Sequence, residues 1–312
     1  MLPKKDWRAV PRPTVFIHTN PKQMVGALVA QYALHRNSRY AERFDVRILN
    51  TEDFPFLREM HGKPFLRNGL TRVWDYSDLQ SFTPLRFMPP EAMGYDGRAL
   101  LIDPDIFAVG DVWELLSRDM EGKAIFCRGR SGLKAKIGCW ASSVMLLDCA
   151  RLTHWHCEQQ FRELFAYQRD YTDWTCLKLE PQDSIGRLEE EWNDFDRLTE
   201  RTKMLHNTRR MTQPWKTGLP VDFTFAEKIA FIPFLPQIVK FGRFVMGGRK
   251  LVRHYVSHPD KRQEELFFGL LRECVDRGIV TEEMLREEMR QNHVRHDALQ
   301  VLDAVPRLAA AA

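Results

Sequence analysis

The 312-residue sequence lacks the patterns on which several classes of protein depend. Its six cysteines form no C-x-x-C pair and no tight cluster, which argues against a zinc knuckle or a disulfide framework and predicts reduced, mostly buried thiols. No window approaches the roughly 18 apolar residues of a membrane span, and the N-terminal stretch has no apolar signal-peptide core. We therefore expect a cytoplasmic protein.

A strong excess of charge is also missing, since 46 Lys and Arg against 42 Asp and Glu leave a net charge of +4. Such a balance is atypical of a tail-driven nucleic-acid binder, and no nucleic-acid partner is expected. The balance is nevertheless an average. Residues 151–200 have a net charge of −6, and residues 201–250 have a net charge of +8. Any function that needs positive charge is therefore local.

Short apolar runs rich in β-branched residues recur through the first half and predict strands. These runs are Val15–Thr19, Phe44–Leu49, Ala99–Ile102, Ala124–Cys127 and Ser143–Leu147. Between the first two, Gln23–His35 has apolar side chains at helical spacing. A strand, a helix and a second strand within about thirty residues indicate parallel pairing with a right-handed crossover. The sequence thus predicts an α/β fold whose ligand crevice lies at the carboxyl ends of the strands.

The second half favours helices, over Arg151–Tyr167, Lys261–Arg272 and Thr281–Arg290. Between them, Lys228–His258 is apolar and basic and contains no acidic residue. Two interpretations of this segment stay open. It is an interfacial anchor that meets anionic lipid, or a core-packing helical extension with solvated charges. Its two prolines would interrupt a long helix and favour the second interpretation.

The most specific feature is an apolar strand that ends at Asp103-Pro104-Asp105. Two carboxylates at the carboxyl end of a strand either bind a hard divalent cation or cap the next turn. Mg²⁺ and Mn²⁺ prefer octahedral oxygen coordination and keep several waters unless phosphates complete the shell. An Asp-x-Asp site of this kind therefore indicates a ligand that bears phosphate.

The residues around this pair resemble the retaining glycosyltransferases of family 8, which are nucleotide-sugar enzymes of GT-A fold that include glycogenin and lipopolysaccharide galactosyltransferases. The matching segment is Leu100–Asp105, followed by Val109-Gly110-Asp111 and a short apolar stretch. About a hundred residues later, Leu205-His206-Asn207 precedes Gln213-Pro214-Trp215, in the order and separation of the family's histidine and Lys-Pro-Trp. The resemblance covers roughly residues 14–218.

This resemblance implies a mixed, mainly parallel sheet flanked by helices, with a nucleotide-sugar-binding catalytic domain at residues 1–220 and a helical, partly basic extension at 221–312. It implies that Asp103, Asp105 and His206 hold Mn²⁺ or Mg²⁺. The implied donor-binding side chains, including candidates at departures from the family pattern, are Thr19, Asn20, Arg86, Asp103, Asp105, Ser142, Ser143, Gln213 and Lys216. Gln213 stands in place of the family lysine that touches the donor phosphate, and Lys216 is either a replacement for that charge or a solvated surface cation.

Asp173 matches the position of a family carboxylate beside the donor sugar and is the candidate catalytic residue. It would act as a nucleophile or hydrogen-bond the sugar hydroxyls. The implied activity is metal-dependent transfer of a hexose from a UDP-sugar to a hydroxyl of a glycan, lipid or protein, with retention at the anomeric carbon. The alternative is a non-catalytic sensor or scaffold that binds nucleotide sugars with the same fold. If the basic segment is the interfacial anchor, it adds a peripheral contact with an anionic membrane at its inner face.

Overall fold

The computed structural model describes residues 11–222 and 253–309, so most of the apolar, basic segment 228–258 lies outside the described residues. The strands of the described ranges are β1 (Thr14–Thr19), β2 (Asp45–Asn50), β3 (Pro64–Arg67), β4 (Leu70–Val73), β5 (Arg98–Ile102), β6 (Ile106–Ala108), β7 (Ile125–Gly129), β8 (Trp140–Asp148), β9 (Ile185–Leu188), β10 (Asp194–Phe195) and β11 (Met204–His206). The α-helices there are α1 (Met24–Arg36), α2 (Pro55–Glu59), α3 (Pro89–Ala92), α4 (Trp113–Leu116), α5 (Gly132–Lys136), α6 (Cys157–Phe165), α7 (Tyr171–Thr175), α8 (Lys261–Asp276), α9 (Glu282–Arg290) and α10 (Ala298–Ala304).

A six-stranded sheet in the order β2-β1-β5-β8-β7-β9 forms the centre of the fold. Strand β1 pairs in parallel with β2 and β5, and β7 pairs in parallel with β9. Strand β8 is antiparallel to both of its neighbours. Helix α1 joins the parallel strands β1 and β2, as the spacing of the first two apolar runs predicts. The expected mixed, mainly parallel α/β fold is confirmed.

The central strands read as continuous apolar runs because both faces of the sheet are covered. Val15 and Ile17 of β1 belong to one buried cluster, which also contains the apolar residues of α1 and α8. Phe16 belongs to a second cluster on the other face, with Phe56 of α2 and Phe161 of α6. This alternation with a period of two places successive side chains on opposite faces of the strand.

The described part of the C-terminal region packs directly on the layer that covers the first face. Phe267 of α8 lies 4.7 Å from Trp215 and 5.4 Å from Phe107 between ring centroids. Glu273 on the same helix pairs with Arg36 of α1 at 2.6 Å and accepts a hydrogen bond from Tyr32 Oη at 2.6 Å. These contacts join the C-terminal helices to the core, while the division at residue 220 stays a prediction.

Helix α1 also fixes the turn that follows β5. Gly26 lies against the backbone of this turn, and a Cβ at that position would be 2.7 Å from the carbonyl oxygen of Pro104. Atoms separated by less than a van der Waals contact in a close-packed interior force their surroundings to shift. The glycine therefore permits the approach that holds Asp103-Pro104-Asp105 against the helix.

Two expectations from the sequence are wrong. Cys139 and Cys176 form a disulfide, so the thiols are not all reduced, although the four other cysteines are free and buried as expected. The helix predicted to begin at residue 151 begins at Cys157. The side chains of His154 and Trp155, which precede the helix, both bind Glu180, at 2.8 and 2.9 Å.

No described helix combines the length and the apolar character that crossing a membrane would require.

Candidate functional site

Three potential metal ligands meet at one edge of the central sheet. Asp103 directly follows β5, Asp105 directly precedes β6, and His206 ends β11, which pairs with β6 so that His206 lies opposite Ile106. One ligand atom from each of the three residues lies within 4.8 Å of the others. All three line a cavity of about 410 Å³. The structure thus brings together the three residues that the sequence analysis nominated as metal ligands.

The tautomer of His206 is set by a buried neighbour. Its Nδ1 lies 2.8 Å from Asn193 Oδ1, and Asn193 Nδ2 donates in turn to Ser143 Oγ at 3.0 Å. An amide oxygen only accepts, so Nδ1 has a hydrogen, and in the neutral imidazole the lone pair is then on Nε2. Nε2 lies 3.4 Å from Asp105 Oδ1, inside the group of ligand atoms. This is the tautomer and orientation that a metal-binding histidine requires.

Asp105 is positioned by Gln213, which occupies the place of the family lysine. Gln213 is buried, and its Nε2 donates to Asp105 Oδ2 at 3.0 Å. The backbone N–H of Asn207 donates to the Asp105 carbonyl at 3.1 Å, which ties the turn after β5 to the residue that follows His206. Gln213 therefore contacts a carboxylate, and the structure gives it a role in orienting that carboxylate.

Asp103 is buried between two donors. Arg86 contacts both of its oxygens, at 2.5 and 3.2 Å, and His18 Nε2 donates to Oδ1 at 2.7 Å. Burial opposes ionisation, but the charge of Arg86 and the hydrogen bond and charge of His18 hold the pKa of Asp103 below its usual range. The other ring nitrogen of His18 donates to the Phe82 carbonyl at 3.0 Å. Asp103 is therefore an ionised carboxylate with a fixed orientation.

His18 was missed in the sequence analysis, although a signal for it exists. In the parallel register of β1 with β5, Ile17 lies opposite Ile102. The residues that follow these two, His18 and Asp103, then lie side by side at the carboxyl edge of the sheet. Aligning the two apolar runs that precede them would have placed the histidine next to the aspartate.

The residues present fit a hard divalent cation. Two ionised or hydrogen-bonded carboxylates and a neutral imidazole supply the oxygen and nitrogen ligands that Mn²⁺ and Mg²⁺ accept, with imidazole better suited to Mn²⁺. Asn193 and Gln213 supply the outer hydrogen bonds that metal ligands normally require. In the neutral imidazole, the lone pair of His206 Nε2 faces Asp105 Oδ1 at 3.4 Å. A cation bound by both atoms would stabilise this arrangement.

Of the remaining predicted donor-binding residues, three line the cavity with Asp103 and Asp105 and the others do not. Arg86, Ser142 and Ser143 are among the lining residues. Arg86 Nη1 donates to Ser142 Oγ at 3.0 Å, and Ser142 Oγ donates to the Thr175 carbonyl at 2.6 Å. The Ser142 hydroxyl therefore already belongs to a network that holds Arg86 in place.

Thr19 and Asn20 are buried and lie outside the lining of the cavity. Thr19 Oγ1 donates to the Asn20 carbonyl at 3.2 Å. Asn20 Nδ2 donates to Ser81 Oγ at 3.1 Å and lies 3.2 and 3.3 Å from the carbonyl oxygens of Asp78 and Leu79. These contacts anchor the segment that leads to Arg86.

Lys216 and Asp173 are also absent from the lining of the cavity. Lys216 is fully buried, and its Nζ pairs with Asp222 at 3.1 Å, so it is neither a solvated surface cation nor a group in the cavity. Asp173 lies in α7 and is 43% exposed at its side chain, where it accepts a hydrogen bond from Lys178 at 2.8 Å. The catalytic role suggested for Asp173 stays a prediction.

Four further cations line the same cavity. They are Arg67, Arg130, Lys134 and Arg210. A signal for Arg130 exists in the topology, because β7 and β5 are both antiparallel to β8 and therefore parallel to each other. Residues that follow β7 consequently lie at the same edge of the sheet as Asp103.

No family model matches the sequence, and no curated protein matches it. Solved structures do match. The galactosyltransferase LgtC, in complex with donor and acceptor sugar analogues, is 14% identical over 65% of this chain and 89% of its own, with a TM-score of 0.44. The glycosyltransferase GlyE of Streptococcus pneumoniae is 16% identical over 86% of this chain and 64% of its own, with a TM-score of 0.46. Mouse xyloside xylosyltransferase 1 is 14% identical over 63% of this chain and 97% of its own, with a TM-score of 0.42.

These solved structures are glycosyltransferases.

Proposed function

We propose that this chain is a metal-dependent retaining glycosyltransferase that moves a hexose from a UDP-sugar to a hydroxyl acceptor. The observation that supports the proposal is the convergence of Asp103, Asp105 and His206, with ligand atoms within 4.8 Å of one another, in a polar cavity at the carboxyl edge of the sheet. Ligands of α/β proteins bind in this crevice, and a donor diphosphate there would complete the oxygen shell of the cation.

The chemical difficulty of the transfer is the negative charge that builds on the departing diphosphate. A divalent cation held by the three ligands would neutralise that charge as a Lewis acid. The protein's own contribution is preorganisation. Gln213 holds Asp105, Asn193 holds His206, and Arg86 and His18 hold Asp103. Ligands fixed in this way need no reorganisation when the donor arrives.

Retention at the anomeric carbon requires either a covalent intermediate on a protein carboxylate or attack on the face from which the diphosphate leaves. Asp103 and Asp105 are the only carboxylates among the described residues that line the cavity. Both belong to the set of potential metal ligands Asp103, Asp105 and His206, called the metal group below. This supports the second route. The bond from the anomeric carbon to the phosphate oxygen breaks, the acceptor oxygen bonds to that carbon, and the hydroxyl proton passes to the departing phosphate oxygen.

The same observation also favours a second candidate function. A cavity whose described lining contains no third carboxylate would suit a non-catalytic protein that senses the nucleotide sugar. Such a protein and the enzyme would both bind UDP with Mn²⁺, but only the enzyme would cleave the donor. Release of UDP therefore distinguishes the two functions.

The test compares Asp105→Ala with Asp303→Ala, an exposed aspartate of α10. A panel of UDP-sugars is incubated with the full chain in Mn²⁺, in Mg²⁺ and in EDTA, and released UDP is measured. We expect metal-dependent release by the wild type and by Asp303→Ala, and a loss of at least about 100-fold in Asp105→Ala, because a metal ligand is removed. Release by Asp105→Ala at the wild-type rate would contradict the assignment of the site.

The acceptor hydroxyl, on a glycan, lipid or protein, and the cytoplasmic location stay predictions. Contact with an anionic membrane also stays a prediction, because most of the basic segment lies outside the described residues. The Cys139–Cys176 disulfide argues against a cytoplasmic location, because disulfides persist mainly in oxidising compartments.

A further inference from the structure

The charges around the cavity do not balance once the donor is placed in it. Five cationic side chains line the cavity, against the two carboxylates of Asp103 and Asp105. A divalent cation would offset those two carboxylates. Each phosphate of a UDP-sugar bears one negative charge, so the diphosphate would offset about two of the five cations. Arg210 has further interactions of its own and is left out of the count. Two positive charges are then in excess of the negative charges at the cavity.

The excess is concentrated on one wall, in the segment between β7 and β8. Arg130 and Lys134 form no ion pair with any described residue, although both face the cavity that contains Asp103. Arg130 is half-buried. Its ε-nitrogen donates to the Trp140 carbonyl at 3.4 Å, and its guanidinium carbon lies 5.6 Å from the centroid of Phe195. The stem of this arginine is therefore held, while its guanidinium forms no ion pair with a described residue.

The cations of this wall repel one another. The charge of Arg130, then burial and the charge of Arg210, lower the pKa of Lys134. Burial, and then the charge of Arg86, lower the pKa of Arg130. Crowding of like charges is unfavourable in the free protein and is relieved when an anion binds between them. The wall is also fixed in place, since Cys139 at its end is bonded to Cys176 beyond α7.

We infer that the site binds a second anionic group, a carboxylate or phosphate additional to the donor diphosphate, at Arg130 and Lys134. The inference rests on the proposed function and specifies its substrate class: the transferred sugar or its acceptor is acidic. Two sources of that group are distinguishable. It is either the carboxylate of a uronic acid on the donor or a phosphate or carboxylate on the acceptor.

Binding experiments by calorimetry on the full chain test both sources. For the donor, the affinity of UDP-glucuronate is compared with that of UDP-glucose in Mn²⁺. For the acceptor, glucose 6-phosphate and glucose are titrated into protein saturated with UDP and Mn²⁺. We expect the anionic member of one pair to bind about ten-fold or more tightly than the neutral one, which is the effect of a charge-assisted hydrogen bond in a partly exposed site.

The variants are Lys134→Gln and Arg130→Gln, with Lys136→Gln as the matched control, since Lys136 is on the same short helix and outside the lining of the cavity. We expect each site variant to reduce the preference for the anionic ligand several-fold, Arg130→Lys to keep most of it, and the control to keep all of it. Lys134 is exposed, so its variant is expected to fold even if Arg130→Gln does not.

Each outcome has a defined meaning. A preference for UDP-glucuronate that depends on Arg130 and Lys134 supports an acidic transferred sugar, and a preference for glucose 6-phosphate supports an acidic acceptor. Absence of both preferences in a protein that binds UDP with Mn²⁺ overturns the inference and leaves the proposed function intact. Equal losses of UDP and of the anionic ligand in the site variants also overturn it, because the cations would then serve the diphosphate. Absence of metal-dependent UDP binding overturns both.

Discussion

Asn193 is expected to control metal affinity without contacting the metal. Its Oδ1 accepts the hydrogen of His206 Nδ1 at 2.8 Å, and its Nδ2 donates to Ser143 Oγ at 3.0 Å, so both ends of the amide are engaged in a fully buried position. Asn193→Ala removes the acceptor that selects the tautomer. The ring is then free to place a hydrogen on Nε2, the atom that faces the ligand group.

The expected loss of Mn²⁺ affinity is about 10- to 100-fold, which is the usual effect of removing a residue that hydrogen-bonds a metal ligand. This range corresponds to about 1.4–2.7 kcal/mol of binding free energy. The same substitution leaves Ser143 Oγ without its donor, and we expect the free energy of unfolding to fall by about 1–3 kcal/mol. The two losses are separable because one is measured in the metal titration and the other in denaturant.

The assay is calorimetric titration of Mn²⁺ into wild type, Asn193→Ala and Asn193→Asp, with and without UDP. The aspartate variant keeps an acceptor toward His206, and carboxylate partners of this kind are common beside metal-bound histidines, so it is expected to recover most of the affinity. Asn37→Ala is the control for stability, because Asn37 Nδ2 donates to the Ala108 carbonyl at 2.8 Å in a partly buried contact outside the metal group. Wild-type Mn²⁺ affinity in Asn193→Ala would refute the reasoning.

Two further predictions concern stability and the turn after β5. Lys216→Met is expected to reduce the free energy of unfolding by about 3 kcal/mol at pH 7 and to leave UDP affinity unchanged, because it removes the counter-charge of the Asp222 carboxylate and leaves only the hydrogen bond from Tyr255 Oη. Burial acts to raise the pKa of Asp222, but the charge of Lys216 lowers it below the usual value. The ion pair therefore stabilises the protein above about pH 4, and the loss of stability in the variant shrinks in urea melts at more acidic pH. A loss of stability that does not change with pH would count against the ion pair. Gly26→Ala is expected to weaken Mn²⁺ binding several-fold, because the added Cβ presses on Pro104, and to lower the free energy of unfolding by about 1–3 kcal/mol. The control is Gly269→Ala, whose Cβ meets the side chain of Leu308 and which should lose stability only. Equal Mn²⁺ affinities of the two variants would contradict this role of Gly26.

The sheet was predictable from the sequence because its central strands are buried on both faces. A strand such as Val15–Thr19, which begins with three large apolar residues, has few alternatives to a central position in an α/β sheet. The structure buries it throughout and extends it by a single residue to Thr14–Thr19. The helix at 151–167 was predicted too long because the competing partner, Glu180, is distant in sequence. Periodicity reports the local preference of a segment and contains no information about such a partner.

The metal ligands Asp103, Asp105 and His206 were predictable for a different reason. The motifs around them resemble those of a known family, and Asp103 follows a strand whose carboxyl end lies at the crevice. The same logic locates His18 and Arg130, and both were missed because a strand register or a strand order was needed as well as a motif. The fate of Lys216 could not be predicted in this way. Its partner Asp222 lies only six residues away, but nothing in that spacing distinguishes a buried pair from two solvated charges.

Gln213 shows how a departure from a family pattern can preserve the geometry of a site while changing its charge. A lysine at this position would add a positive charge beside Asp105, whereas the glutamine donates a hydrogen bond at 3.0 Å and adds none. The cation that the diphosphate would otherwise meet there must come from another part of the cavity. Arg130 and Lys134 supply more positive charge than this one substitution removes. One added cation would compensate for Gln213, so compensation does not require both Arg130 and Lys134. The remaining positive charge is the physical basis for expecting an acidic substrate.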